Sequence, residues 1–83
     1  MKRNELVYNV LKAIQNESEP KPSNYNLEQQ QWLDLVTFII DNGYANIKAS
    51  RGGRGNKVHA VWMEGATLTD KGIDYLEENS STN

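Results

Sequence analysis

Arg51, Arg54 and Lys57, with Lys48 just upstream, are the densest set of chemically distinctive side chains in this chain. They belong to the stretch Arg51-Gly52-Gly53-Arg54-Gly55-Asn56-Lys57, and no Asp or Glu occurs between residues 44 and 60. Guanidinium and ammonium groups at that density suit phosphate oxygens, and arginine also suits a narrow minor groove. The glycines allow positive φ and close backbone approach to a ligand. The plainer reading is a solvated loop tip kept charged for solubility. A single Arg-Gly-Gly-Arg-Gly stretch is also similar to the arginine–glycine segments of RNA-binding chains, but one copy is a weak signal.

A second polar set is Gln30, Gln31, Asp34 and Thr37. Glutamine can pair with adenine in the major groove, and threonine can touch a thymine methyl. Asp34 opposes phosphates, and no Lys or Arg occurs from Asn24 to Tyr44. An ordinary wet helix face is the competing reading.

The remaining candidates are bland. His59 is the only histidine; a phosphate or pH-sensitive contact is weighed there against a structural or merely exposed ring. Trp32 sits in an apolar pattern and reads as core, whereas Trp62 is more open and suits an interaction patch. Glu77 and Glu78 are adjacent on a helix, so they point apart and make no catalytic pair. With no cysteine, the chain has no disulfide, thiolate metal site or thiol nucleophile. No phosphate-binding glycine loop followed by Lys-Ser/Thr and no ligand cluster is present. The expectation is a non-enzyme with no cofactor and no metal.

These residues must be positioned by a small body. Eighty-three residues with 37% hydrophobic and 24% charged make one domain with a thin core. The net charge of −2 argues against indiscriminate coating of nucleic acid. The four cations of residues 44–60 are therefore one basic feature on an acidic body. No apolar run approaches the roughly 20 residues of a membrane span. A soluble cytoplasmic protein with no membrane partner is expected.

The hydrophobic period sets the elements. Leu6, Val7, Val10, Leu11 and Ile14 predict a first helix, with Asn4 as its N-cap. Residues 17–24 contain Pro20 and Pro22 and read as a connection, with a short helix near Pro22–Tyr25. Trp32, Leu35, Val36, Ile39 and Ile40 predict a second long helix, opened by an Asn26–Gln29 capping box and closed at Asn42-Gly43. The period then falls to two in residues 44–50 and 58–63, giving a hairpin with a mobile basic tip. Thr69 caps a last helix carrying Leu68, Ile73 and Leu76 toward the core. Gly72 inside that helix implies close approach of a neighbouring backbone. The fold class expected is α+β: a winged helix-turn-helix, three helices with a two-stranded β-hairpin wing, the second helix of the motif short or reduced. Residues 1–79 form the winged-helix domain and 80–83 a flexible C-terminal tail.

Three stretches carry a family resemblance. They are Leu6-Val7-x-x-Val10-Leu11-x-x-Ile14, Gln31-Trp32-x-x-Leu35-Val36-x-Phe38-Ile39-x-x-x-Gly43-Tyr44, and Leu68-Thr69-Asp70-Lys71-Gly72-Ile73-x-Tyr75-Leu76-Glu77-Glu78-Asn79. In these the sequence resembles the YjcQ-like family of small winged-helix proteins of Gram-positive bacteria and their prophages. The resemblance implies the fold and, by fold analogy alone, a regulator; it assigns no site residue.

Two functions stay open. In the first, a phage, prophage or bacterial accessory transcriptional regulator binds duplex DNA. Lys48, Arg51, Arg54 and Lys57 hold phosphates, and Gln30, Gln31 and Thr37 touch bases. A homodimer is the expected working form, because one short module binds weakly. In the second, the same fold is a protein–protein interaction module without DNA contact. A continuous positive surface over the wing and the helix face favours the first; acids interrupting it favour the second.

Overall fold

The structure, a computed structural model, describes residues 2–80. Helix α1 (Arg3–Gln15) leads through a 3₁₀ turn (Pro22–Tyr25) to helix α2 (Gln29–Asp41). Strands β1 (Ala45–Gly52) and β2 (Lys57–Leu68) form an antiparallel hairpin, and helix α3 (Asp70–Ser80) closes the chain. Three helices and a two-stranded wing make an α+β, winged-helix-like fold. Residues 81–83 of the expected tail lie outside the described residues, and α3 runs through Ser80.

The core is one cluster. Val7, Val10, Leu11 and Ile14 of α1 meet Trp32, Leu35, Val36 and Ile39 of α2 over Ala45, Met63 and Leu76. Leu6 and Leu68 are half-buried against it. Ile73 departs from expectation: it is 38% exposed. Gly72 and Leu76 face inward on α3, four residues apart on one helix face, which turns Ile73 toward an open groove beside Met63 and Leu68.

Two caps also differ. Lys2, not Asn4, precedes the first turn of α1, and its carbonyl accepts from the Leu6 N–H at 3.0 Å. Asn26 takes a left-handed conformation (φ 58°, ψ 42°) that ends the 3₁₀ turn, so it cannot hold the extended geometry of an N-cap. Glu28 takes that place, and its N–H donates to Gln31 Oε1 at 2.9 Å. The capping pair is therefore Glu28–Gln31.

The docking of α3 explains the Leu-Thr-x-x-Gly pattern. The Thr69 hydroxyl accepts from the Gly72 N–H at 3.0 Å and donates to the Gly43 carbonyl. The Thr69 N–H donates to the Tyr44 carbonyl at 3.1 Å. Gly72 is required because a Cβ there would overlap that same carbonyl oxygen. Gly43 itself, at φ 73°, turns the chain out of α2.

Candidate nucleic-acid interface

The wing is set by an irregular register. Ser50 pairs with Ala60 but Arg51 pairs with Val58, so His59 is an extra residue on β2. One inserted residue reverses which side chains face the helices. Val58 is buried and so is Met63, whereas Trp62, which the plain alternation put on the same face as Val58, is turned out and 49% exposed. A second irregularity leaves Ile47 opposite Met63–Ala66. It lets β2 continue through Gly65 (φ 77°) to Leu68, past the expected end at residue 63.

The tip is short and braced. The strands reach Gly52 and resume at Lys57, leaving a single 3₁₀ turn, Arg54–Asn56. Gly53 (φ 73°), Gly55 (φ 77°) and Asn56 (φ 51°) supply the positive φ values that the reversal needs. Arg51 Nη1 donates to the Asn56 carbonyl at 3.3 Å. His59 Nε2 lies 2.9 Å from the Gly52 carbonyl, which can only accept, so the ring donates there. The histidine thus has a structural bond within the wing.

Between the wing and the outer face of α2 lies an open groove of about 470 Å³. Gln30, Asp34, Thr37 and Asp41 form one wall; Arg51, Lys57 and His59 form the other. Arg51 Nη2 and Asp41 Oδ1 close across it at 3.0 Å. Gln30 Nε2 donates to Asp34 Oδ1 at 3.0 Å, and the Thr37 hydroxyl bonds back to the Leu33 carbonyl at 2.6 Å.

The groove therefore gathers Gln30, Thr37, Arg51 and Lys57 from the expected site. Gln31 is drawn off by the helix cap and lines a different groove, beside Arg3 and Leu6. Arg54 projects from the tip and is exposed. Lys48 lies apart, on the outward face of the hairpin, paired across the strands with Trp62. The surface is not continuously positive: Asp34 and Asp41 break it. Among the described residues, Arg54 and Lys57 have no ion pair or side-chain hydrogen bond. Asp41 and Asn56 were missed as wing contacts. Asp41 carried one signal, since an anion in the last turn opposes the helix dipole and calls for a cation nearby.

The sequence matches the family described as YjcQ protein over residues 4–83. The chain belongs to the YjcQ family. It is also similar to the solution NMR structure of the YjcQ protein from Bacillus subtilis, with 28% identity and a TM-score of 0.62. That match covers 92% of this chain and 94% of the other. No curated protein matches. The YjcQ match supports the fold and carries no activity with it.

Proposed function

We propose that this YjcQ-family protein is an accessory transcriptional regulator that holds duplex DNA mainly through its wing tip. The observation that carries the reading is the pair Arg54 and Lys57, exposed on a braced tip beside the polar face of α2. Arginine on a glycine-framed tip suits a minor groove or its flanking phosphates. Arg51 has its charge engaged by Asp41, so it orients the wing more than it binds. Gln30 and Thr37 are the α2 side chains for base contact, and each must give up an internal hydrogen bond to make it. That exchange keeps sequence preference weak.

One observation favours a second reading, a protein-interaction module without DNA contact. Asp34 and Asp41 stand on the helix face that would approach phosphates. Fluorescence anisotropy with mixed-sequence duplexes at two salt concentrations separates the two. Salt-sensitive binding that weakens on removal of Arg54 and Lys57 supports the DNA reading. No binding at low salt by folded protein supports the interaction module.

A further inference from the structure

Trp62 is the largest apolar side chain left open, and it lies on the hairpin face that carries Lys48, opposite to the buried Val58 and Met63. It sits in a shallow dish between Lys48, directly across the strand pair, and Glu64, two residues further along β2. On its other side the indole borders a second groove with Glu19, Pro20, Lys21 and Pro22 of the connection and Gln29 of α2, which adds one further charge of each sign. Lys48 and Glu64 carry opposite charges and flank one indole. Among the described residues, neither side chain makes an ion pair or hydrogen bond.

That arrangement selects its occupant by charge. A phosphate chain or an acidic segment gains from Lys48 but is repelled by Glu64. A basic segment meets the reverse. A second copy of the same patch satisfies both groups. In a two-fold interface residue i meets j and j meets i, so one patch must complement itself. With Trp62 near the axis, Lys48 of each copy faces Glu64 of the other. We propose that the Lys48–Trp62–Glu64 face of the hairpin is the interface of a homodimer of this chain. Two aromatic rings would form its desolvated centre and two charge pairs its rim, the usual anatomy of such contacts. Arg54 and the α2 groove lie off this face, so the dimer and the DNA reading stand or fall separately.

The test is sedimentation velocity on the full chain over a concentration series, with charge-reversed variants. The expected result is a reversible dimer by about 1 mM protein. Lys48→Glu and Glu64→Lys should each raise the dimer dissociation constant about tenfold, by placing like charges together. The double variant K48E/E64K should return to within about threefold of the parent, because the pairs re-form with sign reversed. Trp62→Ala should leave a monomer with an unchanged circular dichroism spectrum. A monomer throughout would overturn the proposal. So would a dimer indifferent to Lys48→Glu, Glu64→Lys and Trp62→Ala, or a double variant that does not recover. A Trp62 indole resonance that moves only when single-stranded nucleic acid is added to a monomer would give the face to that ligand instead.

Discussion

Asp41 Oδ1 sits 3.0 Å from Arg51 Nη2, joining the last residue of α2 to the wing. The carboxylate opposes the helix dipole in that turn, and the guanidinium offsets it. Because the side chains are 31% and 58% exposed, solvent screens the pair. A double-mutant cycle on Asp41→Ala and Arg51→Ala should give a coupling of about 0.2–1 kcal/mol. The larger effect should be on motion. Asp41→Ala should raise the amplitude of backbone motion in residues 51–56 relative to residues 32–40, read by ¹⁵N relaxation. An unchanged wing would mean that the ion pair does not brace it.

Gly72→Ala tests the docking of α3. On propensity alone, alanine in a helix gains up to about 1 kcal/mol over glycine. Here the added methyl overlaps the Tyr44 carbonyl oxygen, which is backbone and cannot swing aside. The expected outcome is net destabilisation of about 1–3 kcal/mol by urea unfolding. A stabilised variant would show that α3 shifts freely on the α2–β1 turn.

The opposite signs of those two contributions mark what the sequence could and could not convey. Gly72 was legible as a close approach because glycine is otherwise unfavourable in a helix; its partner, Tyr44, was not, since it lies 28 positions away in sequence. The apolar faces of α1 and α2 were legible because a 3.6-residue period is local. The openness of Trp62 was legible too, but that Met63 shares the buried face with Val58 was not, because one unpaired residue at His59 reverses the side-chain phase, and period-two alternation cannot show where a bulge falls. The candidate site divides in the same way. The basic composition of residues 48–57 was plain, and alternation alone sets Lys48 and Arg51 on opposite faces of β1, but which of the cations meets α2 depends on how the hairpin docks. They divide into Lys48 on the outward face, Arg51 held by Asp41 of α2, and Arg54 and Lys57 at the tip.

Ile39→Ala probes the core. The side chain is fully buried between α1 and α2. Its truncation should cost about 2–5 kcal/mol. A domain of this length has about 4–12 kcal/mol in total. Thermal unfolding followed by circular dichroism should show a strongly lowered midpoint, with a fraction already unfolded at the higher cost.

Alkaline pH should weaken the fold. Burial pushes the Tyr75 hydroxyl above its ordinary pKa, and the neighbouring Tyr44 adds to the rise. Burial does the same for Tyr25, which stacks on Trp32 at 6.1 Å. A raised pKa means that the folded state favours the neutral phenol. The stability this contributes is whole below the unfolded value of about 10 and is lost as pH rises through the folded value. The Tyr75 hydroxyl also donates to the Asn4 carbonyl at 3.2 Å, a bond that ionisation removes. Urea midpoints measured from pH 8 upward should stay level and then fall above about pH 10. Tyr75→Phe should reduce the fall.

The salt dependence of DNA binding tests which cations do the work. Among the described residues, Arg54 and Lys57 have no ion pair at the tip, whereas Arg51 is held by Asp41 and Lys48 faces away. Two phosphates neutralised per protomer predict a slope of log K against log salt of about −2, or about −4 for a dimer. Arg54→Ala and Lys57→Ala should each flatten it by about 0.9 per protomer and weaken all sequences alike. Arg51→Ala should change the slope less than either, because its charge is already balanced. Gln30→Ala and Thr37→Ala should alter sequence preference with little effect on the slope. Asp41→Asn separates steering from bracing: it removes a negative charge near the phosphates but keeps a side chain of the same size. Tighter binding with a steeper slope would show that Arg51 is released onto the DNA. Weaker binding at an unchanged slope would show that the strut matters by aiming the tip.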